Sequence, residues 1–212
     1  LIPTEETIVT NQFINNFSIE DNSLFFLNSF GSLYSIDIKS KRINWFNNLN
    51  QSLELTSNNL FFSKQIVNYK NRIVISTDLN TYFIDANSGN IISRKNFTSN
   101  FKPIIYKDHV FCLTKNNLLI ALNYKTAEIL YSYNLNVQID KMFKKRKKNK
   151  FQNFMLANNK FLVFDKSLIS FFNLKGQLEQ INKLPSKIKT RPIFINGSII
   201  FLDNNNKLKI LD

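Results

Sequence analysis

The residues best suited to chemistry in this chain are its one histidine and its one cysteine, His109 and Cys112, which stand three positions apart. A histidine beside a thiol can form a nucleophile pair or part of a metal site. The string His-Val-Phe-Cys predicts a β-strand, in which positions three apart point to opposite faces. We therefore favour a histidine near a turn and a small buried thiol over a shared catalytic or metal-binding role.

Two further motifs bear on ligand binding. The stretch Asp203-Asn-Asn-Asn206 has part of a calcium loop, but the glycine and the final bidentate glutamate are missing, so a hairpin turn is favoured. The four glycines stand at positions 31, 89, 176 and 197, which excludes both common glycine-rich phosphate motifs. A single cysteine excludes an internal disulfide and a cysteine-based zinc site. We expect no catalytic residue, no metal and no cofactor.

The strongest charge feature is a basic segment, residues 141–150, which holds seven of the 28 Lys and Arg residues. The chain carries a net charge of +13, of which these seven residues supply +7. The other 202 residues carry +6, which is an ordinary charge balance for a solvated surface. The segment could bind an anionic membrane or an acidic protein, or, less favoured, nucleic acid; the simplest interpretation is a solvated loop. The residues that would make such a contact are Lys144, Lys145, Arg146, Lys147 and Lys148.

Composition and hydrophobic pattern indicate a β-rich fold. The 212 residues include 33 Asn, 26 Ile and 21 Phe but only four Ala, and isoleucine and phenylalanine favour strands whereas alanine favours helices. Apolar residues occur in short runs bounded by Asn, Asp, Gly, Ser and Lys, which is typical of strands joined by tight turns. We expect no helix beyond a turn or two. No apolar run approaches the ~18 residues needed to cross a membrane.

Five of these hairpins form an internal repeat. Each begins at a turn, continues through two apolar strands and closes on Asp or Asn 14 or 15 positions later. The closing residues are separated by 48, 38, 50 and 39 positions, and a period near 40 predicts the blades of a β-propeller. The extra residues of the two longer intervals, 48 and 50, lie near residues 51–59 and in the basic segment. The closing residues are Asp37, Asp85, Asn123, Asn173 and Asp212.

A second regularity follows the closing residues. After Asp37 and Asn123 an aromatic residue stands eight positions on, at Trp45 and Tyr131, while the turn after Asp85 contains Gly89. We expect each closing side chain to accept hydrogen bonds from turn N–H groups, and each aromatic ring to pack between adjacent blades. These positions are structural rather than catalytic.

This pattern resembles the PQQ-like repeat, roughly G-x-L-Y-A-L-D-x-x-T-G-x-x-x-W. The best copy is Gly31-Ser-Leu-Tyr-Ser-Ile-Asp37 with Trp45, and the next is Asn117-Leu-Leu-Ile-Ala-Leu-Asn123 with Tyr131. The resemblance implies a quinoprotein-like, WD40-like propeller of four-stranded antiparallel blades. We treat residues 1–212 as a single partial propeller domain of four to five blades with an insertion at 141–150. We expect no closure between the segments near Phe13 and Ile210.

Among propellers of this kind without enzyme motifs, the chain is most similar to the B lipoprotein family of the β-barrel assembly machinery (BamB). The resemblance implies a non-catalytic periplasmic scaffold at the outer membrane that assists β-barrel assembly and insertion through protein–protein contacts. Its implied partners are the assembly machinery and unfolded barrel clients. The family's contact motif has no counterpart here, so no contact residue is assigned.

Two alternatives remain open. One is a fragment of a PQQ-dependent dehydrogenase; the quinoprotein dehydrogenases use a vicinal cysteine pair, a catalytic aspartate and a calcium site, which have no match here. The other is a generic propeller adaptor. The start Leu1-Ile-Pro-Thr-Glu-Glu6 has neither an initiator Met nor a signal-like pattern, so we expect a processed or partial product whose targeting segment lies elsewhere.

Overall fold

The computed structural model describes residues 16–50, 61–143 and 150–211. The chain divides into two compact units: Leu1–Lys115 with Ala121–Leu130, and Asn116–Ile120 with Tyr131–Asp212. Sheets 1 and 2 lie in the first unit, sheets 4 and 5 with helix α1 lie in the second, and sheet 3 has residues in both. In every sheet, strands that follow one another in sequence are neighbours.

Sheets 1 to 3 have four strands each. Sheet 1 consists of β1 (Asn16–Glu20), β2 (Ser23–Leu27), β3 (Ser32–Asp37) and β4 (Ile43–Asn48). Sheet 2 consists of β5 (Val67–Tyr69), β6 (Arg72–Ser76), β7 (Thr81–Asp85) and β8 (Ile91–Lys95). Sheet 3 consists of β9 (Ile104–Tyr106), β10 (His109–Leu113), β11 (Leu118–Asn123) and β12 (Ile129–Asn134).

Sheets 4 and 5 complete the described strands. Sheet 4 consists of β13 (Asn153–Ala157), β14 (Lys160–Phe164), β15 (Leu168–Asn173) and β16 (Leu178–Lys183). Sheet 5 has three strands within the described residues: β17 (Ile193–Ile195), β18 (Ser198–Leu202) and β19 (Leu208–Leu211). The architecture is almost all β, with antiparallel four-stranded blades, which confirms the predicted incomplete β-propeller.

The cores explain the short apolar runs of the sequence. In sheet 2 the middle strands β6 and β7 are buried along nearly their whole length, whereas the outer strands β4, β8 and β12 have only exposed and half-buried positions. Phe25, Leu27 and Leu33 of sheet 1 form one cluster with Ile73 and Ile84 of sheet 2. Because both faces of a middle strand are buried, its sequence is continuously apolar rather than alternating.

The predicted hairpin turns lie between the first two strands of each blade. Lys70, Asn71, Asn158 and Asn159 have left-handed φ values of 40–62°, the conformation that two-residue hairpins require. These two-residue turns therefore set the register in which β5 pairs with β6 and β13 pairs with β14.

The helix is longer than expected. Helix α1 (Leu135–Phe143) has nine residues, about two and a half turns, where the sequence predicted no more than two. The Asn134 side chain accepts the N–H of Asn136 at 3.0 Å and so caps its first turn. Leu135 and Ile139, one turn apart, are both buried. Two buried apolar residues give too short a periodic pattern to reveal a helix in sequence.

Helix α1 includes the first three residues of the basic segment, and Lys141 stands in its last turn. Lys144, Lys145, Arg146, Lys147 and Lys148 lie outside the described residues, as do Phe13, Asp212 and the stretch 51–60. The expectations of an exposed basic loop and of an open ring between Phe13 and Ile210 therefore stay predictions. Within the described residues, no helix is both long and apolar enough to cross a membrane.

Candidate functional site

The site built by the repeat is the turn between the third and fourth strands of each blade, which we call the closing turn. At each of these turns the N–H four residues after the closing residue, or three at Asn173, donates to the closing residue's carbonyl at 2.8–2.9 Å. The donors all have left-handed φ values, and they are Lys41, Gly89, Ala127 and Gly176. A hydrogen-bonded closing turn thus recurs in four blades, and it is one residue shorter in sheet 4.

The closing side chains hold these turns from inside. Asp37 Oδ1 accepts the N–H of Ser40 at 2.6 Å, and Asp85 Oδ1 accepts that of Ser88 at 2.9 Å. Asn123 Oδ1 accepts the N–H groups of Lys125 and Thr126, and Asn173 Oδ1 those of Lys175 and Gln177. An acceptor oxygen on a short side chain is what these turns require, and both Asp and Asn supply it.

Hydrogen bonding sets the acidity of the two closing aspartates. The N–H and the hydroxyl of Ser40 hold the pKa of Asp37 below its ordinary value. At Asp85 burial acts to raise the pKa, but the bonds from Ser88 and Asn87 outweigh it and the pKa is lowered. Donors directed at the ionised carboxylate stabilise that form, so both turns favour a charged aspartate.

The aromatic residues of the repeat bridge neighbouring sheets within each unit. Trp45 Nε1 donates to the carbonyl of Ala86, the residue after Asp85, at 2.8 Å. Tyr131 donates its hydroxyl to the carbonyl of Leu174, the residue after Asn173. Each of these two rings is therefore anchored on the closing turn of the next sheet by one hydrogen bond. Burial raises the pKa of Tyr131, which keeps its phenol a donor.

Gly89 lies directly beneath Trp45. A Cβ placed on Gly89 would stand 2.5 Å from Cε3 of Trp45, and the φ of Gly89 is +76°. The Asn47 side chain also donates to the Gly89 carbonyl at 2.8 Å. Space and backbone conformation thus both require glycine at position 89.

His109 and Cys112 form no joint site. The His109 ring stacks on Phe111, with ring centroids 5.6 Å apart, while Cys112 is fully buried. Burial raises the pKa of the Cys112 thiol to about 12. A protonated, inaccessible thiol is a poor nucleophile and a poor metal ligand. Among residues 16–50, 61–143 and 150–211 no group of three metal-ligating side chains occurs.

Asp203 lies in the hairpin turn between β18 and β19. Its Oδ1 accepts the N–H groups of Asn205 and Lys207, both at 2.9 Å. The carboxylate that the calcium-loop alternative needed is therefore occupied by backbone donors. Hydrogen bonding, led by the Lys207 N–H, lowers the pKa of Asp203.

Two sets of positioning residues were missed by the sequence analysis. The first caps the turn between the second and third strands, where Asn28, Thr77 and Asp165 accept turn N–H groups as Asp203 does. The sequence contains a regular spacing that could have identified them, because each stands eight or nine positions before a closing residue. Polar residues are so common in this chain that the spacing alone did not single them out.

The second is Gln138 on helix α1. Its Nε2 donates to the carbonyl of Gly176 at 2.6 Å, and its Oε1 accepts the N–H of Leu178 at 2.7 Å. The amide therefore bonds the Gly176 carbonyl of the closing turn and the N–H of Leu178, the first residue of β16, which is the outer strand of sheet 4. A helix covering a strand edge prevents another chain from pairing there.

Comparison with known proteins gives a fold and no sequence family. No protein-family model matches the chain, and no curated protein matches its sequence. By contrast, 1118 solved chains match its structure, so the fold is widespread and does not by itself select a function.

Three of these structures illustrate the match. The computationally designed Ika8 protein has a TM-score of 0.66 and 13% identity, over 92% of this chain and 56% of that one. BamB from Moraxella catarrhalis has a TM-score of 0.57 and 13% identity, over 92% and 68%. BBS1N, solved in complex with ARL6DN, has a TM-score of 0.63 and 9% identity, over 89% and 60%. The chain spans little more than half of the designed protein, and at such identities the similarity shows the β-propeller fold alone.

Proposed function

We propose that this chain is a non-catalytic periplasmic scaffold, associated with the outer membrane, that assists the assembly and insertion of β-barrel proteins as BamB proteins do. The observation that carries the proposal is the coincidence of a PQQ-like repeat with a fold similar to BamB over 92% of the chain. Its partners would be the assembly machinery and unfolded barrel clients. The basic segment would add an electrostatic contact.

Catalysis has little support from the residues best suited to it. Cys112 is buried as a neutral thiol and His109 is stacked on Phe111. The carboxylates of Asp37, Asp85 and Asp203 are occupied by backbone donors of their own turns. These groups do structural work, which favours a scaffold over a quinoprotein-like enzyme.

The outer strands supply surfaces that a scaffold could use. Ile91 and Ile92 of β8 and Ile129 and Leu130 of β12 are 38–54% exposed. An extended segment of a client can add to an outer strand through main-chain hydrogen bonds, with its side chains on the neighbouring apolar positions. Gln138 already occupies the start of β16, so such pairing would use β8 and β12.

A binding measurement tests the proposal. The chain would be titrated onto immobilised periplasmic domains of the barrel-inserting subunit from the same organism. The designed Ika8 protein is a matched control, because it has a similar fold and was designed computationally. We expect saturable binding of this chain and none of the control; equal signals from the two proteins would contradict the proposal.

The enzyme alternative has its own assay. The chain would be incubated with pyrroloquinoline quinone and calcium and assayed for dye-linked alcohol oxidation. We expect no turnover above the protein-free background. Quinone-dependent turnover that survives repurification would replace the scaffold by a dehydrogenase fragment.

A further inference from the structure

One side of sheet 5 is apolar and exposed, although the other side is packed in a core. Ile199 and Phe201 of β18 belong to the core cluster that sheet 5 forms with sheet 4. The alternate positions of each strand point to the opposite side of the sheet. This opposite side, which we call the sheet 5 face, consists of Ser198 and six apolar residues, and the four of these on the flanking strands β17 and β19 are 48–61% exposed. The six are Ile193, Ile195, Ile200, Leu202, Leu208 and Ile210.

Position by position, the sheet 5 face matches the side of sheet 1 that packs on sheet 2. Leu208 and Leu33 each stand four positions before a closing residue. Each pairs across its sheet with a leucine of the preceding strand, Leu202 and Leu27 respectively. Leu27 and Leu33 lie in one core cluster with Ile73 of sheet 2. The sheet 5 face therefore repeats the side chains that, in sheet 1, are covered by the next blade.

The side of sheet 2 that covers these leucines also has a counterpart in the chain. Ile84 and Tyr82, which lie in the same core cluster, stand one and three positions before a closing residue. In sheet 1 the same two positions are Ile36 and Tyr34. They lie on the side of sheet 1 opposite to Leu33, because each is an odd number of positions away from it along β3. We call this side the sheet 1 face.

The sheet 1 face is apolar, and it is exposed around its centre. Tyr34 and Ile36 are buried in the middle of the face, and the Tyr34 ring lies between those of Phe26 and Phe46, at centroid distances of 6.3 and 5.2 Å. The chain therefore has two apolar faces whose residues correspond to the two sides of the contact between sheets 1 and 2. By register, the outermost strands of sheet 1 add four residues to its face that are 42–58% exposed, namely Phe17, Ile19, Ile43 and Phe46.

We propose that the sheet 5 face of one copy of this chain binds the sheet 1 face of a second copy. The occupant is a second copy because the chain itself carries the covering face in the required register. Antiparallel sheets pack face to face about 10 Å apart with interdigitated apolar side chains, and exposed apolar patches mark such contacts. The two copies use different surfaces, so the association is head to tail. It goes beyond the proposed scaffold function and does not depend on it.

Charge also favours these two faces as the contact. Each copy carries a net charge of +13, so two copies repel one another in general. The apolar residues that form the two faces bring no cations together. Added salt screens the repulsion between the copies and leaves the apolar contact in place, so association should strengthen with salt.

Sedimentation equilibrium of the whole 212-residue chain tests the proposal. We expect the average mass to rise above 24.9 kDa with increasing protein concentration. The sheet 5 variant Leu208→Glu/Ile210→Glu and the sheet 1 variant Phe17→Glu/Ile19→Glu should each weaken association by at least about tenfold, since an unpaired charge would be buried in the contact. The control Phe62→Glu/Leu79→Glu changes two exposed apolar residues outside both faces and should associate like the unchanged chain.

A mixture of the two variants gives the sharpest result. The intact sheet 1 face of one variant can bind the intact sheet 5 face of the other, so the mixture should form a one-to-one dimer although neither variant associates alone. Thermal unfolding checks that the variants fold, and single serine substitutions at Ile210 and Phe17 replace any that do not. The proposal would be overturned by an unchanged chain that stays monomeric or a mixture that stays monomeric. Loss of association in the sheet 5 variant alone, or association that weakens with salt, would overturn it as well.

Discussion

Trp45 and Ala86, 41 residues apart in sequence, are joined by a 2.8 Å hydrogen bond from the indole to a backbone carbonyl. The ring also stacks on Phe25, with centroids 6.1 Å apart, and covers Gly89. One side chain thus connects the outer strand of sheet 1, its own core and the closing turn of sheet 2. The same relation between Tyr131 and Leu174 shows that it belongs to the repeat and not to one blade.

Gly89→Ala should destabilise the protein by about 2–4 kcal/mol, the sum of a strained left-handed backbone and an overpacked contact. The added methyl group would approach Cε3 of Trp45 to 2.5 Å. The matched control is Gly197→Ala, which has a φ of +92° but no neighbour within 4 Å and should lose only about 1–2 kcal/mol. Urea unfolding of both variants gives the comparison. Equal losses would mean that the Trp45 contact relaxes without cost.

The hairpins and their register were predictable because local chemistry and burial agree there. Asn71, for example, starts a turn with a left-handed backbone, and Asp85 ends the hairpin directly opposite Arg72. Apolar runs between such residues could only be middle strands buried on both faces. The fold class followed from five repetitions of this pattern.

Other features depend on contacts that spacing does not encode. Helix α1 is held by Gln138 against sheet 4, and neither its capping asparagine nor its two buried residues distinguish it from the many polar segments nearby. Gln180 pairs with Phe171, two positions before Asn173, and so occupies in sheet 4 the position that Trp45 has in sheet 1. The sequence did not show this correspondence, because the turn after Asn173 is one residue shorter and the eight-residue spacing points instead to Ile181. A one-residue change in a turn moves every later side chain of the strand to the other face.

Acid should weaken the protein through its closing turns. The pKa values of Asp37 and Asp85 are lowered in the folded state, so their contribution is present above the unfolded value of about 3.9 and is lost as the pH falls through the folded values. The double variant Asp37→Asn/Asp85→Asn keeps the Oδ1 acceptor of each turn, as Asn123 and Asn173 do naturally, and replaces the Oδ2 oxygens that accept from the amides of Asn22 and Asn71. We expect it to reduce the fall in urea midpoint between pH 5 and pH 2.5.

Asp78→Asn is the control for this measurement, because it removes an exposed aspartate outside the closing turns. It should leave the acid dependence of the urea midpoint nearly unchanged. If the double variant and the control behave alike, the closing carboxylates do not contribute to acid sensitivity.

Cys112 should resist Ellman's reagent at pH 8 and react only when the protein opens. Its side chain is fully buried and its pKa is raised to about 12, so the thiolate that reacts is scarcely formed in the folded state. Since the folded pKa is raised, this thiol favours folding below its unfolded value of about 8.5 and progressively less as the pH rises above it. Labelling rates should increase with urea in step with unfolding; fast labelling without denaturant would contradict the buried position.

The basic segment should act through charge and not through stability. Replacing Lys144, Lys145, Arg146, Lys147 and Lys148 with serine should change the free energy of unfolding by no more than about 0.5 kcal/mol, the usual range for surface positions. Binding to vesicles that contain anionic lipid should fall sharply in this variant, and binding of the unchanged chain should weaken with added salt.

The matched control removes the same charge from scattered exposed positions, namely Lys39, Lys102, Lys125, Lys166 and Lys187. Because clustered cations create a stronger local field than dispersed ones, the control should retain most of the binding. Equal losses in the two variants would show that net charge alone attracts the vesicles, and a large loss of stability would show that the segment is part of the folded structure.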